Sequence, residues 1–396
     1  MFLTVEYIYV IICADSCFAF SKLLWVLVYI NNRFCEEEQL FGNEEGDELR
    51  VRPATDADNE KLIAIEKLTP QGGQIRLVSE RKDYFFRAKK FADPIFLVVE
   101  DEAEDMILGI MGVGPVTVRL NNEIRRAGLV FDWRSNPLIK KGLPRHMFRL
   151  WQAAHSEIVR KDLDFLFGYV KDDNERSISI ITRSGAQVVE GKDFLTMPVH
   201  ASFCRKRSEV ERVTFTIKPE EEQEREAVES SFGYLDLFPD LTQREATREQ
   251  RERYLYGKFS YRGSSVKVWD TTEEYTQRVL NIPRLFKLAR PIFRVGSRVL
   301  PLPHIPNLGE EIKVWQLFDL VLDQHEDLNP LLEKVRHAAL EKGIYYLVAT
   351  LGPDDKGYEQ LARKAWVRPR YHLFAMPLKD GIPLPKPPTY FDVSYL

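Results

Sequence analysis

Ile139-Lys-Lys-Gly-Leu-Pro-Arg145 sits between a strand-like run and a helix-periodic one. From Leu143 to Val159 the apolar residues fall at Leu143, Met147, Leu150, Ala154 and Ile158. That spacing puts them on one face of a helix. The first amides of such a helix have no intrahelical partner, and they point outward at the positive end of the dipole. Lys140, Lys141 and Arg145 add three cations there. The arrangement is one that holds a pyrophosphate. A solvated basic turn at a helix start is the plainer alternative.

Working outward, Leu49-Arg-Val-Arg-Pro53 alternates as a half-buried strand does, and Thr55-Asp-Ala-Asp58 offers caps for a helix from Lys61 to Leu68. Arg81 to Ala92 is basic and aromatic and reads as helical. Strands are expected at 94–100, 107–118 and 127–133, with a hairpin at Asn121-Asn122. Further strands are expected at 165–170 and after Gly185, separated by a helix at 174–184. Residues 205–212 form a charged link. The rest repeats a similar order: a strand near Phe215, helices over 219–256, and strands at 265–269 and 314–322. A helix at 330–342, a strand at 345–351, a helix at 356–365 and a strand at 372–377 follow. The fold class is α/β with mixed sheets flanked by helices, duplicated within the chain. The expected division is a leader and acidic connector at 1–48, a first domain at 49–207 and a second at 208–396. The Pro-rich run 383–388 reads as a surface strap.

The chain has 396 residues, 44% apolar and 29% charged, with 56 Lys plus Arg against 60 Asp plus Glu. The net charge of −4 disfavours a surface built to wrap nucleic acid. Four cysteines exclude a disulfide scaffold, and no CxxC pair or His spacing suggests a metal. No Asn-x-Ser/Thr sequon occurs. These features fit an intracellular protein, cytoplasmic or nuclear. Residues 1–34 hold two apolar runs interrupted by Asp15 and Lys22. They are either a membrane segment, or an accessory leader or misassigned start, and the interruptions disfavour the membrane segment.

A second motif lies downstream: Asn174-x-x-Ser177-x-x-Ile180-Ile181-x-Arg183-x-Gly185. Together with Gly142 in the basic loop, it resembles the two cofactor segments of the GCN5-related N-acetyltransferase superfamily. The Asp93-Pro94 strand entry and Leu302-Pro-His-Ile-Pro-Asn-Leu-Gly309 resemble the plant hookless-type N-acetyltransferases in particular. The resemblance implies tandem acetyltransferase folds, acetyl-CoA as acyl donor and an amine as acceptor. A protein lysine, a peptide N-terminus and a small amine all remain open. It places Phe131, Trp133, Lys140, Lys141, Gly142, Leu143, Arg145, Asn174 and Ser177 at the cofactor.

Three positions depart from the family pattern. Ile139 replaces Arg or Gln, Pro144 removes an amide, and Ile181 replaces a tyrosine that often protonates the thiolate. Asp132, flanked by Phe131 and Trp133, is the candidate base, with pairing to Arg134 or Arg126 as the alternative. Tyr169 is the candidate acid. The second half carries the acidic Gln324-His-Glu-Asp-Leu-Asn329 where a phosphate loop would stand, so it is expected to bind no cofactor. A catalytically inactive acyl-CoA-binding module of the same fold is the rival reading.

Overall fold

The computed structural model describes residues 49–70, 76–139, 145–200, 207–217, 221–240, 252–296 and 304–395. The leader, and the expectations about it, lie outside these. β1 (Leu49–Pro53) leads to α1 (Asn59–Leu68), β2 (Arg76–Arg81), β3 (Ile95–Asp101), β4 (Met106–Leu120) and β5 (Glu123–Ser135). α2 (Arg145–Arg160), β6 (Phe165–Lys171), α3 (Glu175–Arg183) and β7 (Gln187–Pro198) follow. Next come α4 (Arg207–Glu211), β8 (Thr214–Thr216), α5 (Glu221–Phe232), β9 (Leu255–Tyr261), β10 (Ser264–Asp270), β11 (Tyr275–Asn281) and α6 (Arg284–Gly296). The chain closes with β12 (Glu311–Ile312), β13 (Val314–Val321), α7 (Leu328–Glu341), β14 (Tyr346–Leu351), α8 (Tyr358–Lys364) and β15 (Arg370–Pro377).

The local chemistry explains the main elements. Asn121 and Asn122 both take positive φ, as a tight two-residue hairpin between β4 and β5 requires. In α2 the periodic residues Leu150, Ala154 and Ile158 have no exposed surface and pack on Ile95, Leu97, Val99 and Met111. Five consecutive residues of β3, Ile95 to Val99, are buried because helices or turns cover both faces of the sheet. On the opposite face α1 contributes Leu62 and Ile65 to a second cluster with Phe96, Val98 and Ile110.

Two expected helical segments are otherwise. Residues 84–86 and 88–90 are single 3-10 turns, since Tyr84, Phe85 and Phe86 are all buried and no helix lying on a sheet could bury three in succession. The 219–256 stretch ends its helix at Phe232 and enters β9 at Leu255. Between them, Leu237 takes positive φ and residues 237–240 bond to β4 through Arg119 and Thr117. After the strap 383–388, Thr389, Tyr390 and Asp392 to Ser394 turn inward and are buried.

Among the described residues all but three strands form one mixed sheet, in the order β1-β3-β4-β5-β6-β15-β7-β14-β13-β10-β9-β8. β15 lies between β6 and β7, and β7 lies between β15 and β14. The sheet therefore exchanges strands: β15 pairs with β6 from Tyr371↔Lys171 to Pro377↔Phe165, and β7 pairs with β14 from Pro198↔Tyr346 to Asp193↔Leu351. Leu373 and Ala375 of β15 join the core of Phe165 and Phe167, while Leu195 and Met197 of β7 join that of Trp315 and Leu331. Arg370 on β15 clamps Asp193 on β7 through two hydrogen bonds of 2.7 and 2.9 Å. A small sheet, β12-β11-β2, crosses the same divide, with Tyr275 opposite Arg81.

One local device occurs twice. In β5, Asp132 and Trp133 stand opposite the single residue Met111, forming a β-bulge. In β13, Asp319 and Leu320 stand opposite the single residue Val266. Each aspartate follows a phenylalanine, each has φ of 47°, and each carboxylate is buried. Asp132 meets Arg81, and Asp319 meets Lys267 at 3.0 Å and the Tyr390 hydroxyl at 2.6 Å.

Candidate active site

β5 and β6 run parallel through only three pairs, Ala127↔Phe165, Gly128↔Leu166 and Leu129↔Phe167. Beyond them β5 stays with β4 and β6 stays with β15, to which it is paired along its whole length. The two strands thus part into a fork whose crotch lies at Val130 and Gly168. Any Cβ at Gly168 would stand 3.2 Å from the Val130 carbonyl oxygen, so glycine keeps the crotch narrow. Among the described residues no ladder pair joins β5 to β6 beyond the crotch.

The first turn of α2 is fixed at the mouth of this fork. His146 Nε2 lies 3.1 Å from Ser135 Oγ at the end of β5, and Met147 packs against the Cα of Gly109, which pairs with Ser135. Burial pushes the His146 imidazole down to about 4, so it is neutral here at physiological pH. Asn136 shapes the turn out of β5: its side chain donates to the Ile107 carbonyl and accepts from the Leu138 amide. Lys140, Lys141, Gly142 and Leu143 lie outside the described residues. Arg145 is the exposed first residue of α2. Asn174 caps α3 by accepting from the Ser177 amide at 3.2 Å. α3 buries none of its residues.

The β5 bulge separates its neighbours onto two faces. Phe131 packs on the α1 side, its ring stacked between Phe91 at 5.3 Å and Phe96 at 5.6 Å. Gly112 and Gly114 make room for this slab: a Cβ at either would fall 2.5 Å or less from the rings of Phe131 or Phe91. Trp133 packs on the α2 side against Trp151 at 5.7 Å. Its indole N–H has no hydrogen-bond partner among the described residues. Tyr169, one residue beyond the crotch on β6, rests edge-on against Phe391 at 5.1 Å. Asp132 and Tyr169 therefore flank the fork on the same face, from opposite strands.

Asp132 pairs with Arg134, as the alternative expectation had it, and is held besides by Arg81 and Arg87, which the sequence did not point to. Arg81 donates to both carboxylate oxygens at 2.9 Å, Arg87 donates at 3.0 Å and Arg134 at 3.4 Å. Glu66 accepts from Arg81 at 2.6 Å and pairs with Arg134 at 2.8 Å. The side chains of Arg81 and Asp132 have no exposure. Burial opposes the charge on Asp132, yet attraction to Arg81, then Arg87, holds its pKa far below the usual carboxylate range. Burial beside Arg87 and Arg81 also pushes the Lys90 ammonium well below its ordinary value. Tyr84 packs its ring under Arg81 at 4.8 Å, and burial pushes its hydroxyl above the usual tyrosine range. Among the described residues no group of His, Cys, Asp and Glu could hold a metal, and no helix is long and apolar enough to cross a membrane.

No family model and no curated protein matches the chain. Solved structures do. N-myristoyltransferase of Saccharomyces cerevisiae with bound myristoyl-CoA superposes with a TM-score of 0.56 over 83% of this chain and 79% of that one, at 8% identity. An assigned acetyltransferase from Pyrococcus horikoshii gives 0.50 over 85% and 92%, at 12% identity. At such identities the likeness concerns the fold. The chain shares with these structures a mixed α/β fold, a large mixed sheet flanked by helices.

Proposed function

We propose that this chain is an N-acyltransferase that moves an acyl group from a CoA thioester to an amine by direct transfer. The observation that carries the reading is the parting of β5 and β6 next to the Asp132 bulge, beside the start of α2. The fork admits the pantetheine arm, and amides of β5 polarise the thioester carbonyl. Lys140, Lys141, Gly142, Leu143 and Arg145 then face the phosphates, while Asn174 and Ser177 fix the start of α3 beside the arm. The amine nitrogen bonds to the carbonyl carbon, the C–S bond breaks, the leaving thiolate takes a proton, and the cationic nitrogen gives one proton back to the group that protonated the thiolate. Tyr169 is the proposed donor to the thiolate. Asp132, ionised by three guanidiniums, is too weak a base to collect the amine's proton, and its proposed role is to hold the bulge and the fork in place. The first half, 49–207, carries the site. The second half, 208–396, keeps the bulge but lacks a basic phosphate loop.

Acetyl is the proposed acyl group, as the hookless-type resemblance suggests. The supporting feature is the slab of Phe91, Phe96 and Phe131, which fills the space behind the fork that a long acyl chain would need. Phe91→Ala should move the ratio of octanoyl-CoA to acetyl-CoA affinity at least tenfold toward the longer chain. An unchanged ratio by competition titration would remove the slab from the acyl site. A folding cost of about 3–5 kcal/mol is expected for the same change.

The caged Asp132 and the apolar Ile181 favour a second reading, a CoA-thioester-binding module without turnover. Calorimetric titration with acetyl-CoA, followed by thiol release against a panel of amines, separates the two. The proposed enzyme binds one acetyl-CoA and releases CoA, and the module only binds. Replacing Lys140, Lys141 and Arg145 together by Ala should weaken binding at least tenfold, since charge-assisted hydrogen bonds contribute roughly 1.5–3 kcal/mol each. Absence of any CoA binding would reject both readings.

A further inference from the structure

α6 has two apolar faces, and among the described residues only one is covered. Ala289 and Phe293, four residues apart, pack with Val279, Ile282, Ile305 and Ile312. Leu288, Ile292 and Val295, spaced by four and three, are 73%, 70% and 67% exposed. Single exposed apolar residues are ordinary, but three in one stripe on a 13-residue helix mark a contact surface. Nothing in the proposed transfer chemistry uses them.

The charge beside the stripe identifies what fits it. Arg284 and Lys287 are exposed and Arg290 is half-buried. From Tyr275 to Gly309 the sequence contains no Asp or Glu. That gap is notable in a chain with 60 acidic residues among 396. Arg278 in the same span is paired with Glu80 and Glu311, so it adds nothing to the patch. Lys287 reaches Asn281 at 3.2 Å, a neutral partner that leaves its charge uncompensated.

We propose that α6 docks the chain onto an anionic lipid surface, with Leu288, Ile292 and Val295 entering the headgroup boundary and Arg284 and Lys287, on the same side of the helix, facing lipid phosphates. A helix with an exposed apolar stripe and flanking cations lies in the plane of such an interface. A convex stripe of three residues is too small to anchor a protein in neutral lipid, so the charges must contribute. Each basic residue near an anionic bilayer contributes about fivefold in affinity. The docking is peripheral and is independent of the acyl-transfer reading.

The test is sedimentation of the full chain with vesicles of phosphatidylcholine alone and of phosphatidylcholine containing phosphatidylserine. The full chain should pellet with the second and not the first, and added salt should release it. Leu288→Glu with Ile292→Glu should weaken binding at least tenfold. Arg284→Gln with Lys287→Gln should do the same while leaving the apolar stripe intact, so either pair suffices if the other fails to fold. Each variant is checked by its thermal melt. Three outcomes would overturn the proposal: no pelleting with anionic vesicles, equal pelleting with both kinds, or parental binding in a folded variant. The last would point to the apolar leader at 1–34 as the lipid contact.

Discussion

Expressed separately, residues 49–207 and 208–396 should each fail to give a cooperative unfolding transition, whereas the two pieces produced together should associate and melt as one. The reason is the strand exchange. The first piece lacks β15, the strand that links β6 to β7, so both lose their antiparallel partner. The second piece lacks β7, which exposes the edge of β14 and takes Leu195 and Met197 out of a core they share with Trp315 and Leu331. Fully burying such a side chain is worth roughly 1.5–3 kcal/mol. Losing several of them, with a row of ladder hydrogen bonds, consumes a stability that is typically only about 5–15 kcal/mol. The polar ties go as well. Lys192 of β7 is 1% exposed at its side chain and pairs with Asp355 at 3.1 Å and the Thr389 carbonyl at 2.7 Å, both from beyond residue 207. Circular dichroism melts of each piece and of the co-purified pair decide the matter. A sharp melt from either piece alone would show that the exchange is dispensable.

Much of this fold is legible in the sequence, because its strongest signals are local. The spacing of Leu150, Ala154 and Ile158 gives α2, and the paired asparagines give the β4–β5 turn. The exchange is not legible in this way. Alternation marks a segment as a strand but does not name its neighbour, and β15 meets β6 about 200 residues away. β2 escapes for a related reason: Arg-Leu-Val-Ser-Glu-Arg has no clean period of two, and its partner β11 is equally distant. The site divides similarly. Phe131-Asp132-Trp133 stands out as a carboxylate between aromatic residues, and the later Phe318-Asp319 repeats its first two residues. Arg134, two residues along the same strand, is legible as a partner of Asp132, but Glu66, Arg81 and Arg87 are not, because they come from α1, β2 and a turn. A carboxylate flanked by aromatics suggests a base. The same carboxylate among three arginines is a permanent anion, and only the tertiary structure distinguishes the two.

Asp132→Asn should therefore destabilise the chain by about 3–5 kcal/mol, the range for breaking a buried ion pair from one side. The substitution isolates charge. Asparagine has nearly the same volume, and it is among the few residues that readily take the positive φ found at the bulge. What changes is that three guanidiniums would be left around the single carboxylate of Glu66, with Arg81 wholly enclosed. The effect carries a pH signature whose sign follows from the depressed pKa. In the unfolded chain Asp132 titrates near the ordinary aspartate value of roughly 3.9, and in the folded chain it titrates well below that. Its contribution is complete above that unfolded value and is lost as the pH falls toward the folded one. The stability gap between parent and variant should thus be widest and flat at neutral pH, and should narrow as acid is added below about pH 3.9. Urea unfolding of both proteins across that range measures it. Gly112 and the Phe131 slab are untouched by the change, so a loss of CoA binding in a folded variant would report on the fork itself. A gap below about 1 kcal/mol, or one that does not respond to acid, would mean that the arginines find other partners and that Asp132 does not hold the bulge.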